Sequence, residues 1–244
     1  ITIHNHDVAC KIGIVPLLIV VFPLFLLQTK CGIRKDSFDF SKEHILEAVD
    51  GSLKRLRTEY LDVLLLHRPD ALVEPEEVAE AFTILETSGK VKYFGVSNQN
   101  PMQIDLLCKS VKQKILFNQL QLSITNTGMI DAGINVNMQI DRSIDRDGSI
   151  LDYCRLNDII IQPWSPFQYG FFEGAFLDNP KFPELNQKID AIAASRGVTN
   201  TAIAIASDPS RMANAFKMAV EAGREAEARA ALARRIERGE IEHG

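Results

Sequence analysis

Leu61–Asp70 reads L-D-V-L-L-L-H-R-P-D. Leu61, Val63, Leu64, Leu65 and Leu66 form a short apolar run that stops at His67, Arg68 and Asp70, with Pro69 among them. A run of this length bounded by turn chemistry reads as a strand buried on both faces. Such strands belong to parallel sheets covered by helices. In α/β barrels the chemistry sits at the carboxyl ends of the strands, which is where His67 stands. A strand-end histidine that merely caps a turn is the alternative.

The segments on either side repeat the pattern. Upstream, Leu24–Lys30 reads as a strand. Ser41 reads as a helix N-cap, with Glu43 and Glu47 in the early turns and Lys54, Arg55 and Arg57 at the far end, as the helix dipole favours. Ile45, Val49, Leu53 and Leu56 recur at helical spacing as its core face. Downstream, Glu74–Ser88 reads as a helix with Pro75 early, Val78, Phe82 and Leu85 inward, and Gly89 as its stop. Val91–Ser97 and Ile115–Ser123 read as strands, with a Pro101–Ser110 helix between them. Asn126–Asp147, rich in Gly, Asn and Asp, reads as an irregular loop bordering a site. Ser149–Asn157 is a short helix, Ile159–Trp164 another buried strand, Phe167–Pro183 a long loop over a barrel mouth, and Glu184–Arg196 a helix ended by Gly197.

Strands alternating with helices imply parallel pairing through right-handed crossovers. Periodicity leaves an α/β barrel and an open doubly wound sheet both possible. No G-x-G-x-x-G follows a strand, which weighs against a dinucleotide-binding doubly wound fold.

The 244 residues suffice for one α/β barrel, and 46% hydrophobic content supports a sizeable core. A net charge of −5 argues against a general nucleic-acid binder. Cys10, Cys31, Cys108 and Cys154 include no C-x-x-C pair, which suggests reduced thiols in a cytoplasmic protein without a structural zinc. The chain opens at Ile1 rather than Met, as a fragment or processed form would. Ile12–Leu27 is uncharged but broken by Pro16 and Pro23, and falls short of the ~20 apolar residues of a membrane helix. Lys11 is the only basic residue ahead of it and no cleavage site is evident, so it reads as one or two buried strands rather than a membrane anchor or leader. His4, His6 and Asp7 include metal-ligand types but read as a solvated tail, so no metal is assigned.

Five motifs in order carry a resemblance. L-Q-T-K-C-G-I (Leu27–Ile33), L-L-L-H-R-P-D (Leu64–Asp70), G-V-S-N (Gly95–Asn98), F-N-Q-L-Q-L-S (Phe117–Ser123) and Q-P-W-S-P-F-Q-Y-G-F-F (Gln162–Phe172) resemble the aldo-keto reductases, from about Leu26 to about Ala206. The resemblance implies a TIM-type (β/α)8 barrel, as one domain over residues 1–233 with a charged tail at 234–244. It implies hydride transfer between NADPH and an aldehyde or ketone. That chemistry needs a hydride held against the carbonyl carbon, a proton donor at the oxygen, and stabilisation of the developing oxyanion.

By resemblance Lys30 is the lysine that tunes the proton donor and His67 the histidine that orients the carbonyl. Ser97, Asn98 and Gln119 match positions that hydrogen-bond the nicotinamide carboxamide. Trp164 matches an aromatic ring stacked on the nicotinamide, and Ser165, Phe167 and Gln168 lie in a loop that contacts the pyrophosphate. Without the resemblance, Lys30 would read as a surface lysine and Trp164 as a core aromatic. The family's Asp and Tyr should precede Lys30 in a D-x-A-x-x-Y segment. Asp7-Val8-Ala9 echoes its start, and no Tyr precedes Tyr60. General acid catalysis contributes about 10²–10⁴-fold, so the expectation is impaired turnover with cofactor binding retained, on a barrel incomplete at its first strands.

After Ala206 the resemblance stops, and the segment that grips an adenosine 2′-phosphate is not recognisable. Asp208 and Pro209 instead start a helix whose face carries Met212, Phe216, Ala219, Val220 and Gly223. Asn200–Ala204 with Asp208–Arg224 resembles the last strand–helix unit of bacterial thiazole synthase, another α/β barrel. A non-catalytic nicotinamide-binding barrel, a chimeric chain, and a barrel binding phosphate at the helix start Ser207–Ser210 are therefore alternatives. Glu225–Gly244 reads as a solvated helical extension.

Overall fold

Leu61, Val63, Leu64, Leu65 and Leu66 are all fully shielded from solvent. They belong to strand β2 (Leu61–His67). Successive strand residues point to opposite faces, so burying all five requires cover on both sides. At about 1.5–3 kcal/mol per fully buried aliphatic side chain, β2 is a dominant source of local stability. The computed structural model describes residues 26–170 and 173–204. The expectations placed on residues 1–25, including the apolar run and His4, His6 and Asp7, and on residues 205–244, including the Asp208 cap, lie outside the described residues.

Around β2 stand β1 (Gln28–Cys31), β3 (Val91–Ser97), β4 (Ile115–Gln121) and β5 (Ile160–Trp164), all parallel. Their spatial order is their chain order, β1-β2-β3-β4-β5. A doubly wound sheet reverses order at a switch point, whereas a barrel wall adds each strand beside the last. The sheet also curls. The amides of Gln28 on β1 and Gln162 on β5 exchange hydrogen bonds of 2.9 and 3.0 Å although the strands stand at opposite ends of the five. In an eight-stranded barrel, strands four steps apart face each other across the interior, about half a turn away. The described strands are a (β/α)8 barrel wall.

Helices α1 (Lys42–Leu56), α2 (Pro75–Thr87), α3 (Pro101–Cys108) and α5 (Ile150–Leu156) cover the outer face. Leu64, Leu66, Phe94 and Val96 from the strands meet Ile45, Val49, Phe82, Leu85, Ile104 and Leu107 from the helices in one core. Val63, Leu65 and Phe117 form a second cluster on the inner face. Ser41 caps α1 as the sequence indicates, its hydroxyl accepting from the His44 N–H at 3.4 Å. Pro75 opens α2 and Pro101 opens α3. Asn100 and Gln103 add a reciprocal capping box at the start of α3.

Three local expectations are corrected. Residues 126–147 are not wholly irregular, because they contain helix α4 (Gly128–Ile134) and a 3-10 turn (Asp141–Ser143). Helix α4 has no buried residue, so it leaves no apolar periodicity to read. Strand β5 is only half-buried, with Ile160 56% exposed. Among the described residues it pairs on one edge alone, with β4. Asn200–Ala204, assigned to a strand–helix unit, is instead a helix, α7. The Thr199 hydroxyl accepts from the Ala202 N–H at 3.2 Å and starts it.

The described residues fall into two compact units. The first takes those up to 121 with 128–164, and the second takes 122–127 with those from 165 on. In the second, Phe176, Ile189 and Ala204 centre a core that gathers Ile124, Phe167, Tyr169 and Phe182. Helix α6 (Pro183–Arg196) opens with Pro183 and ends at Gly197 in the left-handed region, φ 63°.

Candidate active site

In the first unit the carboxyl ends of the strands share one rim, and the register fixes which side chains share its inner face. His67 pairs with Ser97, Ser97 with Gln119, and Gln119 with Gln162. Lys30 pairs with Leu65, two residues below His67 and on the same face. Trp164 pairs with Gln121, two residues above Gln119. Strand parity therefore brings Lys30, His67, Ser97, Gln119 and Trp164 to the interior side of one rim.

The chain turns sharply as it leaves four of these strands. Gly32 (φ 102°), Arg68 (φ 71°), Asn98 (φ 56°) and Ser165 (φ 50°) follow β1, β2, β3 and β5 directly, and all are left-handed. Three of them carry a Cβ and bear strain there, which is characteristic of functional rims. Below the rim the interior is tight at Gly95. A Cβ there would lie 2.6 Å from Leu65 Cδ2 and 2.6 Å from the Phe117 carbonyl oxygen, so only glycine fits between β2 and β4.

Lys30 is 4% exposed. No ion pair reaches it among the described residues. Burial, with a smaller contribution from the Arg68 charge, lowers its pKa to about 8. The next residue, Cys31, faces the outer core, where burial pushes its thiol up to about 12.

The polar side chains of β3–β5 are interlocked. Ser97 Oγ donates to the Gln119 carbonyl at 3.1 Å and accepts from Asn98 Nδ2 at 3.2 Å. The Asn98 N–H donates to the same Gln119 carbonyl at 3.0 Å. Asn98 Oδ1 accepts from Trp164 Nε1 at 2.9 Å. Gln119 Nε2 donates to Gln162 Oε1 at 3.3 Å, while Gln119 Oε1 is buried without a partner. Leaving a buried acceptor unpaired costs about 1–3 kcal/mol, so this oxygen marks a place where a donor from a ligand would be welcomed.

Ser165, Phe167 and Gln168 lie in the second unit. The Ser165 carbonyl accepts from the Gln168 N–H at 3.0 Å, and the Phe167 carbonyl accepts from the Phe176 N–H at 2.9 Å. The Gln168 carbonyl accepts from Ser123 Oγ at 2.7 Å and Thr125 Oγ1 at 3.3 Å, which fixes this turn. Among the described residues no three His, Cys, Asp or Glu side chains are placed to hold a metal, and no helix is long and apolar enough to cross a membrane.

Sequence reasoning missed Gln28 and Gln162, and it missed the Asn98–Trp164 link. The available signal was polarity at inward positions: L-L-Q-T-K and I-I-I-Q-P-W each interrupt an apolar strand with a glutamine on the face that carries Lys30 and Trp164.

Comparison with known proteins gives the family. Residues 24–207 match the Aldo/keto reductase family, and residues 189–240 match Thiazole biosynthesis protein ThiG. The uncharacterized oxidoreductase YcsN of Bacillus subtilis is 46% identical over 121 residues, covering 45% of this chain and 40% of its own. The 6-dehydroglucose reductase of Agrobacterium fabrum is 31% identical over 193 residues, covering 74% of this chain and 57% of its own. The chain thus spans about half the length of these relatives. Among solved structures, the aldo-keto reductase MGS-M4 from a deep-sea metagenome library superposes with a TM-score of 0.51 at 25% identity, over 74% of this chain and 55% of its own. The Bombyx mori aldo-keto reductase, solved in complex with NADP, gives 0.50 at 22% identity over 74% and 53%, and supports the fold alone. With three quarters of its length inside the match, the chain belongs to the aldo/keto reductase family.

Proposed function

We propose that the chain holds a nicotinamide dinucleotide, NADPH, and orients a small aldehyde or ketone against it, as an oxidoreductase. The observation that carries this reading is the unpaired, buried Gln119 Oε1 beside the Trp164–Asn98 pair. A carboxamide has an NH₂ to fill that acceptor and a carbonyl oxygen to take a donor, so the residues present fit the group. When bound, the cofactor supplies the hydride. In this reading Gln119, Ser97 and Asn98 fix the carboxamide, and the Trp164 ring covers the face away from the substrate. His67 stands at the rim to hydrogen-bond the carbonyl oxygen. Lys30, a buried cation without a carboxylate beside it among the described residues, stabilises negative charge as it develops on that oxygen or its proton donor.

The test has two stages. NADPH is titrated against the emission of Trp164, the only tryptophan, and saturable quenching is expected. Reduction of an aldehyde panel is then followed in the wild type, His67→Ala and Lys30→Met. Activity lost in both variants is expected, and activity indifferent to both would overturn the catalytic assignment. A second reading, binding without turnover, is favoured by the lack of a D-x-A-x-x-Y segment in this sequence. It predicts saturable quenching and no reduction of any aldehyde.

A further inference from the structure

Strand β4 holds the turn after β3 from two sides. The Gln119 carbonyl accepts from the Asn98 N–H at 3.0 Å. One residue earlier, Asn118 Nδ2 donates to the Gln99 carbonyl at 2.8 Å. The Asn98–Gln99 turn is thus pinned at both ends, and Asn98 is its left-handed residue, φ 56°. Asn118 points the opposite way from Gln119, to the side of β4 that carries Leu120 into the outer core with Ile104 and Cys154. It is fully buried there, as is Gln99. The partner of Asn118 is a backbone carbonyl, which can only accept, so the amide has one orientation, nitrogen toward Gln99. Its other end, Oδ1, is buried without a partner among the described residues. An apolar side chain would suit this face better. An amide that leaves half of its hydrogen bonding unmet in a core points to the bond it does make as its role.

That bond bears on the site through one further contact. Asn98 Oδ1 accepts from Trp164 Nε1 at 2.9 Å, so the direction in which the turn presents its side chain sets where the indole stands. We propose that Asn118 is a positioning residue: from the outer side of the barrel wall it holds the Asn98–Gln99 turn and thereby aims the Asn98 amide at Trp164. The inference rests on the cofactor reading above and deepens it, since it adds a residue that acts on the site without facing it.

Calorimetric titration with oxidised NADP tests this in the wild type, Asn118→Leu, Asn98→Gly and the double variant. Asn118→Leu roughly keeps the volume and removes the donor. It is expected to weaken NADP about tenfold, the equivalent of one neutral hydrogen bond. Asn98→Gly leaves no amide to aim, and in that background the same substitution is expected to change affinity by less than about threefold. Leu120→Ala is the control on the same face of β4. It opens a cavity and lowers stability, and it is expected to leave NADP affinity within about threefold of the wild type. Asn118→Ser, whose hydroxyl ends one bond short of the Gln99 carbonyl, gives the same comparison if Asn118→Leu lacks a cooperative melt.

Equal weakening with and without Asn98, or equal weakening in Leu120→Ala, overturns the positioning role, because a general loss of packing acts without Asn98. Unchanged affinity in Asn118→Leu overturns it as well. The emission of Trp164, the only tryptophan, separates this inference from the cofactor reading. In the free protein Asn118→Leu and Asn98→Gly are expected to shift it in the same direction, and the double variant no further. A wild type that binds no NADP overturns the cofactor reading, while this emission pattern would still uphold the positioning of the indole. Emission unmoved by Asn118→Leu overturns the positioning whatever NADP does.

Discussion

Trp164 Nε1 donates a 2.9 Å hydrogen bond to Asn98 Oδ1, tying the end of β5 to the turn after β3, two strands away. Asn98 holds this bond from a left-handed backbone, φ 56°, which an asparagine tolerates better than most residues with a Cβ. One residue thus provides both the turn off the strand and the anchor for the indole.

The two contributions separate by substitution. Asn98→Gly keeps the turn and loses the anchor, whereas Asn98→Ala loses both. Urea unfolding is expected to place Asn98→Ala about 1 kcal/mol below Asn98→Gly, the cost of a left-handed alanine. Equal midpoints would show that the backbone at Asn98 relaxes freely.

Lys30 gives a pH signature. Its folded pKa, about 8, lies below the ordinary 10.5, so folding disfavours the charged form. Below pH 8 the lysine is charged in both states and the full penalty is present. Between 8 and 10.5 the unfolded chain holds a proton that the folded chain has lost, and stability rises with pH through this lysine. Lys30→Met is expected to be more stable than the wild type at pH 7, by roughly 2–3 kcal/mol. The difference should shrink from pH 8 and vanish above about 10.5. Denaturation of the two proteins across pH 6–11 reads it directly, and a difference independent of pH would mean that Lys30 titrates normally.

Gly95 is a packing test of the barrel wall. Gly95→Ala places a methyl within 2.6 Å of the Phe117 carbonyl and 2.6 Å of Leu65 Cδ2. Leu65 can rotate but the backbone oxygen cannot, so a loss of about 1–3 kcal/mol in chemical denaturation is expected. A neutral result would mean that β3 and β4 stand further apart than the described register requires.

Turnover distinguishes His67 from the residues that hold the cofactor. His67→Ala is expected to lower carbonyl reduction about 10²-fold or more while leaving the NADPH quench of Trp164 within a few-fold, because the histidine is assigned to the substrate oxygen. Gln119→Leu should weaken the quench itself. The reverse pattern would exchange the two roles.

The sequence by itself determined the local elements. The strand Leu61–His67, the Ser41 cap, Pro75 and Pro101 at helix starts, and Gly89 and Gly197 after helix ends follow from short-range sterics, capping and apolar spacing, which act within a few residues. It also placed the five motifs at strand ends. Tertiary structure decided what no local rule contains: the strand order that excludes a doubly wound sheet, the curl that brings Gln28 to Gln162, and the pairing of Asn98 with Trp164. Those contacts join residues far apart in the chain. Helix α4 was illegible for the opposite reason, because with no buried face it leaves no periodic pattern for the sequence to show. The buried oxygen of Gln119 is likewise a tertiary fact, since an amide becomes an unmet acceptor only once neighbouring strands have excluded water from it.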